Sequence, residues 1–325
     1  MRSAIHASFG DPAEVLTLGE SPVPQPGPGE VRIKTLLAPI HNHDLWTVRG
    51  HYGYKPELPA IGGSEAVGVV DALGEGVQGL SIGQRVAASF VHGTWAEYFL
   101  APAQAAVPMP DAIGDETAAQ LIAMPLSALM LLEFLEVKPG QWVIQNTANG
   151  AVGKTVAMLA KARGVNTINL VRRDAGVAEL AELGIEHAVS TARPDWQDEV
   201  RAIVGDAPIS AAVDSVGGKA SGELMSLLGE NGVLASFGSM SGEPMQISSS
   251  DMVFKQTTVK GFWGGKVSDT MAAQDKHRLM GELLALATRG ALKLPVEGIY
   301  DLADAAKAAA ASLAPARKGK VLLKP

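Results

Sequence analysis

A turn at residues 146–153 carries the residue types that can hold the phosphates of a dinucleotide. It links a short apolar run to a helical pattern, and it contains Gly150 and Gly153. Gly150 would let the backbone approach a pyrophosphate, and Gly153 would let the helix pack closely on the strand. The N–H groups at the helix N-terminus would then bind the phosphates. Ala148 stands where such turns usually have their first glycine, so an ordinary strand-to-helix turn is the competing interpretation. We expect cofactor contacts from Asn146, Ala148, Asn149, Gly150, Ala151, Val152 and Gly153.

Two arginines follow the next predicted strand, Thr167–Val171, about 20 residues beyond the glycines, where a dinucleotide fold places the adenosine ribose. A carboxylate at this place would accept hydrogen bonds from the ribose of NAD, whereas a guanidinium suits the 2′-phosphate of NADP. The residues here are Arg172 and Arg173. The sequence therefore favours NADPH over NADH, with two solvated surface arginines as the alternative.

The elements around these residues alternate between short β-rich runs and helical segments. Ala118–Leu135 predicts a long helix that leads into this region. Strands that alternate with helices of such length indicate a parallel, doubly wound sheet. The alternating segments are 142–145, 152–163, 167–171, 177–183, 185–189, 196–204, 209–216, 220–228 and 233–237.

The two ends of the chain have a different texture. The first hundred residues are rich in Gly and Pro and predict a small, mostly β domain, with strands at Val31–Leu37, Ala66–Leu73 and Gln84–Ser89. Near the C-terminus we predict helices at His277–Thr288 and Ala303–Leu313, followed by a strand at Lys320–Leu323. Because no helix follows this strand, we expect the chain to return and complete the first domain.

Composition is that of an ordinary enzyme, with 325 residues and a formal net charge of −7. Single cores stop growing at about 250–300 residues, so two domains are expected. The acidic balance disfavours nucleic acid or an anionic membrane as a partner. No apolar run approaches the roughly 18 residues of a membrane span, the N-terminus has no apolar signal region, and there is no cysteine. We expect a cytoplasmic protein without disulfides.

Four further motifs, taken with the phosphate turn, resemble the medium-chain dehydrogenase/reductase superfamily over essentially the whole chain. That resemblance implies an α/β protein with a GroES-like, mostly β catalytic domain and an inserted Rossmann domain, a doubly wound parallel sheet that binds the cofactor. We place the catalytic domain at 1–120, completed by 266–325, and the Rossmann domain at 121–265. The motifs are LPAIGGSEAVG at 58–68, GQRV at 83–86, GTWAEY at 93–98 and GKVLL at 319–323.

The alcohol-dehydrogenase branch of this superfamily binds catalytic zinc through cysteine and histidine. Here His41 stands at about the place of the first cysteine, Ser64 where the zinc-binding histidine would be, and Met124 near the third ligand. Because no thiolate is available and Ser64 replaces the key histidine, we expect no catalytic zinc and no other metal. A different metal site, built from His41, His43, Asp44 and Glu65, is the alternative.

Among zinc-free branches, the chain more closely resembles the 2-enoyl thioester reductases than plain quinone reductases. The resemblance implies that Tyr52, in the loop GHYGYKP, is the active-site tyrosine. Gly150 replaces the usual Ser of the phosphate turn and Gly53 replaces a Pro, so acyl-chain length and carrier recognition stay open. The other matching segments are QNTAN at 145–149, VDSVGGK at 213–219 beside the nicotinamide, and GFW at 261–263 beside the acyl pocket.

Reduction of an enoyl thioester needs a hydride at Cβ, stabilisation of the enolate oxygen and a proton for Cα. NADPH supplies the hydride, and a positioned hydroxyl such as that of Tyr52 can supply the rest. A tyrosine that only packs in a loop is the alternative. We expect Asn42, Tyr52 and Trp263 to contact the substrate. The remaining expected cofactor contacts are Phe237, Gly238, Phe262 and Trp263.

Two other functions are compatible with these residues. In an NADPH:quinone oxidoreductase the hydride would pass to a quinone, and no dedicated proton donor would be essential. A non-catalytic NADPH-binding protein is the more remote alternative. For the leading interpretation the expected partner is a small molecule, an acyl-CoA or an acyl carrier protein thioester. A homodimer through edge strands would fit the superfamily.

Overall fold

The computed structural model describes residues 1–315 and 317–325. Two compact units divide the chain: residues 1–123 with 283–325, and residues 124–282. The predicted boundaries differ from these mainly in 266–282, which belongs to the second unit. The physical reason lies in one long helix, from which Arg278 and Glu282 reach Glu133 and Arg163 of the second unit at 3.0 and 2.8 Å.

The first part of the first unit is mostly β-structure. Its strands hold the apolar core, in which Ile33, Val86 and Trp95 are fully buried. Strands β1, β2 and β4 form a small antiparallel sheet. In order, the elements are β1 (Arg2–His6), α1 (Pro12–Val15), β2 (Leu16–Glu20), β3 (Glu30–Pro39), α2 (Asn42–Val48), β4 (Ala60–Ile61), β5 (Glu65–Leu73), β6 (Arg85–Ser89), β7 (Tyr98–Pro102), β8 (Ala106–Pro108) and α3 (Asp115–Ala118).

The second unit is an α/β sandwich. Its sheet has six strands in the order β11-β10-β9-β12-β13-β14, and every pair is parallel, which confirms the predicted doubly wound sheet. In order along residues 123–288, the elements are α4 (Ala123–Phe134), β9 (Trp142–Gln145), α5 (Ala151–Ala162), β10 (Asn166–Val171), α6 (Asp174–Glu182), β11 (Ala188–Ser190), α7 (Trp196–Val204), β12 (Ile209–Asp214), α8 (Lys219–Leu227), β13 (Val233–Ser236), α9 (Ser249–Lys255), β14 (Thr258–Gly261), α10 (Gly264–Thr270) and α11 (Ala273–Thr288). The last six residues of α11 belong to the first unit.

The C-terminal segment returns to the first unit, as its lack of a following helix suggested. It contains β15 (Val296–Asp301), α12 (Ala305–Leu313) and β16 (Lys320–Lys324). Strand β16 pairs antiparallel with β3, and the larger sheet has the order β15-β16-β3-β5-β6-β8, with β7 also on β3. Among the described residues, no helix is both long and apolar enough to cross a membrane.

The single helix predicted over Ala118–Leu135 is wrong in one respect. Residues 119–122 separate α3 from α4. The reason is a competing hydrogen bond, because the backbone N–H groups of Ile122 and Ala123 donate to the side chain of Glu65 at 2.8 and 2.9 Å.

Candidate active site

A buried carboxyl–imidazole pair lies in the core of the first unit. His41 follows β3 and Glu65 begins β5, and the antiparallel pairing of these strands brings the two residues together. Nε2 of His41 lies 2.7 Å from Oε2 of Glu65, and both side chains are fully buried. The other oxygen of Glu65 accepts the two N–H groups at the start of α4.

Burial controls the protonation of this pair. Loss of hydration raises the pKa of Glu65 to about 8, although the two backbone donors oppose the shift. Burial also lowers the pKa of His41 well below its usual value, and the nearby charge of Lys320 adds to the effect. Lys320 is itself buried, which lowers its pKa to about 8. His41 is therefore neutral at neutral pH, and Glu65 retains its proton more strongly than an exposed glutamate.

A second group of polar residues surrounds the start of α2. Oδ2 of Asp44 accepts the backbone N–H of His41 at 2.9 Å, and Oδ1 accepts the hydroxyl of Ser64 at 2.6 Å. Nε2 of His43 lies 2.7 Å from the same Ser64 oxygen. Because the serine has only one proton and gives it to Asp44, His43 donates from Nε2.

Two glycines position Ser64 and Glu65. A Cβ at Gly62 or Gly63 would collide with the ring of Trp95, and Gly63 has a φ of 91° that side chains rarely adopt. The indole is fully buried and donates from Nε1 to the carbonyl of Pro39 at 3.1 Å. The two glycines thus let the backbone pass close to the Trp95 ring, and this path places Ser64 and Glu65.

Tyr52 lies beside this polar group. It is half-buried in the segment between α2 and β4, and its ring stacks on His43 with a centroid separation of 5.6 Å. His43 also stacks on His41 at 5.0 Å, so three rings form a column. Tyr54 is exposed and stacks on His92 at 4.0 Å, and Asn42 is exposed at the start of α2.

These residues do not fit a catalytic zinc. His41 directs Nε2 to Glu65, and the Ser64 hydroxyl is committed to Asp44 and His43. Within the described part of the chain, no group of three or more His, Cys, Asp or Glu side chains could hold a metal ion. The metal site weighed above from the two histidines, Asp44 and Glu65 is likewise not formed.

In the second unit, the turn between β9 and α5 has the backbone expected of a phosphate-binding turn. A Cβ at Gly153 would lie 2.7 Å from Cα of Ala148, so only glycine allows this close packing of helix on turn. Ala148 is buried and its N–H donates to the carbonyl of Leu170 at 3.1 Å. Gly150 and Ala151 are exposed where α5 begins. The first N–H groups of a helix have no acceptor within it, so these can serve a phosphate.

The side-chain amide of Asn146 is hydrogen-bonded within the protein. Its Nδ2 donates to Asp214 at 2.7 Å, and its Oδ1 accepts the N–H of Ser215 at 2.8 Å. Asp214 is fully buried at the end of β12 and also accepts the Ser221 hydroxyl at 2.5 Å. The Asn146 amide therefore ties the carboxyl ends of β9 and β12 together. Its expected contact with the cofactor stays a prediction.

The aromatic residues expected at the cofactor divide into a buried and an exposed group. Phe262 is buried and stacks on Phe237 at 5.7 Å, with Phe134 against its edge at 5.3 Å. The N–H groups of Phe237 and Gly238 both donate to the carbonyl of Asp214. Trp263, in contrast, is 58% exposed immediately before α10. Trp263 is thus accessible to a ligand, whereas the Phe262 side chain is occupied by packing.

The two arginines differ in their surroundings. Both are exposed beyond the end of β10. Nη2 of Arg173 lies 3.8 Å from Glu179, whose other oxygen accepts from Asn149 at 3.4 Å. No ion pair involves Arg172 in the part of the chain that is described. Arg172 is therefore the better placed of the two to bind an added phosphate.

Comparison with known proteins identifies the family. The zinc-binding dehydrogenase family model matches residues 151–278, and the alcohol dehydrogenase GroES-like domain model matches residues 27–111. Human mitochondrial enoyl-[acyl-carrier-protein] reductase is 34% identical over 99% of this chain and 88% of its own length. A mycobacterial protein whose structure contains NADPH has a TM-score of 0.88 at 28% identity, with full coverage of both chains. A Pseudomonas syringae quinone oxidoreductase has a TM-score of 0.88 at 27% identity, also with full coverage.

The chain therefore belongs to the medium-chain dehydrogenase/reductase superfamily, and it is an oxidoreductase. The predicted resemblance to enoyl reductases and quinone reductases is confirmed, as is the combination of a GroES-like domain with a Rossmann domain.

From the sequence, His43 and Asp44 were expected only as metal-ligand candidates. Asp214 and Lys320 were noted only as members of the VDSVGGK and GKVLL motifs, and Glu179 was not predicted. The dense polar run His-Asn-His-Asp was the available signal for the first group. Nothing in the sequence indicated that Ser64 joins His43 to Asp44, because the partners lie 20 and 21 positions away.

A prediction follows from the raised pKa of Glu65. Glu65→Gln keeps an oxygen for the two backbone donors but cannot ionise. Between pH 4.5, the ordinary pKa, and about 8, the unfolded chain has released a proton that the folded chain keeps. The unfolding free energy of the unmodified protein should therefore fall relative to the variant as pH rises, by at most about 1.4 kcal/mol per pH unit. Thermal unfolding of both proteins from pH 5 to 8 measures this.

The control is Glu97→Gln. A hydrogen bond from the Arg2 backbone holds the pKa of Glu97 below its usual range, so its stabilisation is constant above pH 5. If the difference in unfolding free energy between Glu65→Gln and the unmodified protein were also independent of pH, the raised pKa of Glu65 would be contradicted.

Proposed function

We propose that the chain is an NADPH-dependent reductase of an activated carbon–carbon double bond, most specifically that of a 2-enoyl thioester, and that it works without catalytic zinc. The main support for this proposal is the position of Tyr52. It is the tyrosine on which the resemblance to enoyl reductases falls, and its ring is held on an imidazole that is itself fixed by hydrogen bonds. The 34% identity to the human enoyl reductase over nearly the whole chain supports the same substrate class.

NADPH suits the residues of the second unit. The N-terminus of α5 would bind the pyrophosphate, with Gly153 permitting close approach. Arg172 would pair with the 2′-phosphate, and Arg173 would contribute less because Glu179 already lies beside it. When bound, the cofactor supplies a hydride for the β-carbon of the substrate.

The protein's own part is the handling of charge and of a proton. A hydroxyl that donates to the thioester carbonyl stabilises the enolate oxygen that develops during reduction. The same hydroxyl can give its proton to Cα, directly or through one water. Tyr52 provides this donor through its phenolic O–H. Exposed Trp263 and Asn42 are the proposed substrate contacts.

Metal is not required for this chemistry. Nε2 of His41 is bound to Glu65 and the Ser64 hydroxyl to Asp44. In this proposal the Tyr52 hydroxyl takes the place of a Lewis acid at the enolate oxygen. Reduction of a quinone with the same cofactor is the second candidate function, favoured by the likeness to the Pseudomonas syringae quinone oxidoreductase. The two functions differ in their need for Tyr52.

The proposed partners follow from the substrate class. The acyl group would arrive as an acyl-CoA or on an acyl carrier protein, the carrier in the names of the curated relatives. We also propose a cytoplasmic homodimer that pairs through sheet edges. Strand β14 is one edge of the six-stranded sheet, and the helix before it exposes Met252, Val253 and Phe254.

The first test of this proposal is cofactor preference. A bidentate arginine–phosphate contact contributes about 1.5–3 kcal/mol, so Arg172→Ala should raise the NADPH dissociation constant by roughly 10- to 150-fold and leave that of NADH nearly unchanged. Fluorescence titration with both cofactors measures the effect. Arg201→Ala, which removes an exposed arginine on α7, is the matched control and should change neither constant. Equal affinity of the unmodified protein for NADPH and NADH would refute the assignment.

The second test concerns the proton donor. Tyr52→Phe should keep NADPH affinity and lose about 10²- to 10⁴-fold in turnover of crotonyl-CoA, because a positioned acid contributes on that scale. Benzoquinone reduction should change little, since its product can take protons from water. Tyr54→Phe is the control on the neighbouring exposed tyrosine and should be silent. Near-parental turnover by the Tyr52 variant, or a large loss in the Tyr54 variant, would refute the role of Tyr52.

A further inference from the structure

Hydrogen bonds connect Asp44 to Ser64 and Ser64 to His43, and both oxygens of Asp44 are occupied. Asp44 is 4% exposed, and its two oxygens accept the His41 backbone N–H and the Ser64 hydroxyl. Ser64 in turn accepts from Nε2 of His43 at 2.7 Å. The imidazole is therefore held in one tautomer and one plane.

This fixed imidazole is the middle ring of a column. On one side it stacks on His41, which is fully buried and bound to Glu65. On the other side it stacks on Tyr52, with an angle of 29° between the rings. Among the described residues, none makes a hydrogen bond to the Tyr52 oxygen. The stack is therefore what sets the plane of a half-buried ring in a segment without regular structure.

From these contacts we propose that Ser64 is a positioning residue of the reductase reaction. Through His43 it sets the plane of the Tyr52 ring, and so the direction in which the phenol donates. In the alcohol dehydrogenases that this chain resembles, a zinc-binding histidine occupies this position. Here Ser64 occupies it and links Asp44 to His43 by hydrogen bonds. This inference rests on the proposed role of Tyr52 as hydrogen-bond donor to the substrate.

The hydrogen bonds to Asp44 and His43 explain why a serine is suited to position 64. Its hydroxyl must donate to Asp44 and accept from His43 at the same time, and both distances are short, at 2.6 and 2.7 Å. Alanine would remove the hydrogen-bond acceptor of His43 and leave its Nε2 only the longer contact to Oδ1 of Asp44, at 3.5 Å. The imidazole could then turn, and the Tyr52 ring would lose its fixed support. A small displacement of a catalytic group can cost up to about 10²-fold in rate, whereas binding of the substrate body is unaffected.

A double-mutant cycle tests the inference on the full-length protein. Ser64→Ala, Tyr52→Phe and the double variant are compared by kcat and KM for crotonyl-CoA and by NADPH dissociation constant. Ser64→Ala should lower kcat about 10- to 100-fold, with KM and NADPH affinity nearly unchanged. In the Tyr52→Phe background the same change should cause no further loss, because the group that Ser64 positions is already gone.

A full and additive loss from Ser64→Ala in both backgrounds would overturn the inference, and so would parental kcat in the single variant. Should Ser64→Ala not fold, His43→Gln carries the test, since it removes the ring and should give the same non-additive loss. His92→Asn is the matched control: it breaks the other histidine–tyrosine stack, on Tyr54, and should leave kcat unchanged. A Tyr52→Phe variant that reduces crotonyl-CoA at the parental rate would instead refute the proposed function, and this inference with it.

Discussion

The side chain of Glu65 joins three stretches of the chain that are distant in sequence. One oxygen binds His41 after β3, and the other accepts the N–H groups of Ile122 and Ala123 where α4 begins. A fully buried carboxyl group is costly unless each oxygen has a partner, and here each has one. The raised pKa of Glu65 records that cost. The start of α4 and the place of His41 both depend on this contact.

The polar groups around α2 build outward from that contact toward solvent. His41 is fixed by Glu65, its backbone N–H fixes Asp44, and Asp44 with Ser64 fixes His43. Tyr52 lies at the outer end, half-buried on the ring of His43. Each step has hydrogen bonds or ring contacts that need no metal ion. We propose that the site which binds zinc in other members of the superfamily instead positions the phenol of Tyr52 in this chain.

Sequence patterns predicted the parallel sheet and the tight turn between β9 and α5, because strand and helix periodicity and glycine spacing are local signals. They could not predict partners chosen over long distances. Asn146 has the right place in the motif, yet its amide binds Asp214, 68 positions away. Phe262 follows the family pattern, yet its side chain packs against Phe134 and Phe237. Such contacts form only when the fold brings distant strand ends together, so no periodic pattern in the sequence predicts them.

Zinc content and substrate preference, measured on the same preparation, decide whether this protein reduces a double bond without a metal. The protein is dialysed against a chelator, its zinc content is determined, and NADPH oxidation is followed with crotonyl-CoA and benzoquinone side by side. We expect no stoichiometric zinc, full activity after chelation, and a higher kcat/KM for crotonyl-CoA than for benzoquinone. Activity that disappears with the metal and returns with added zinc, or turnover of benzoquinone without any of crotonyl-CoA, would contradict it.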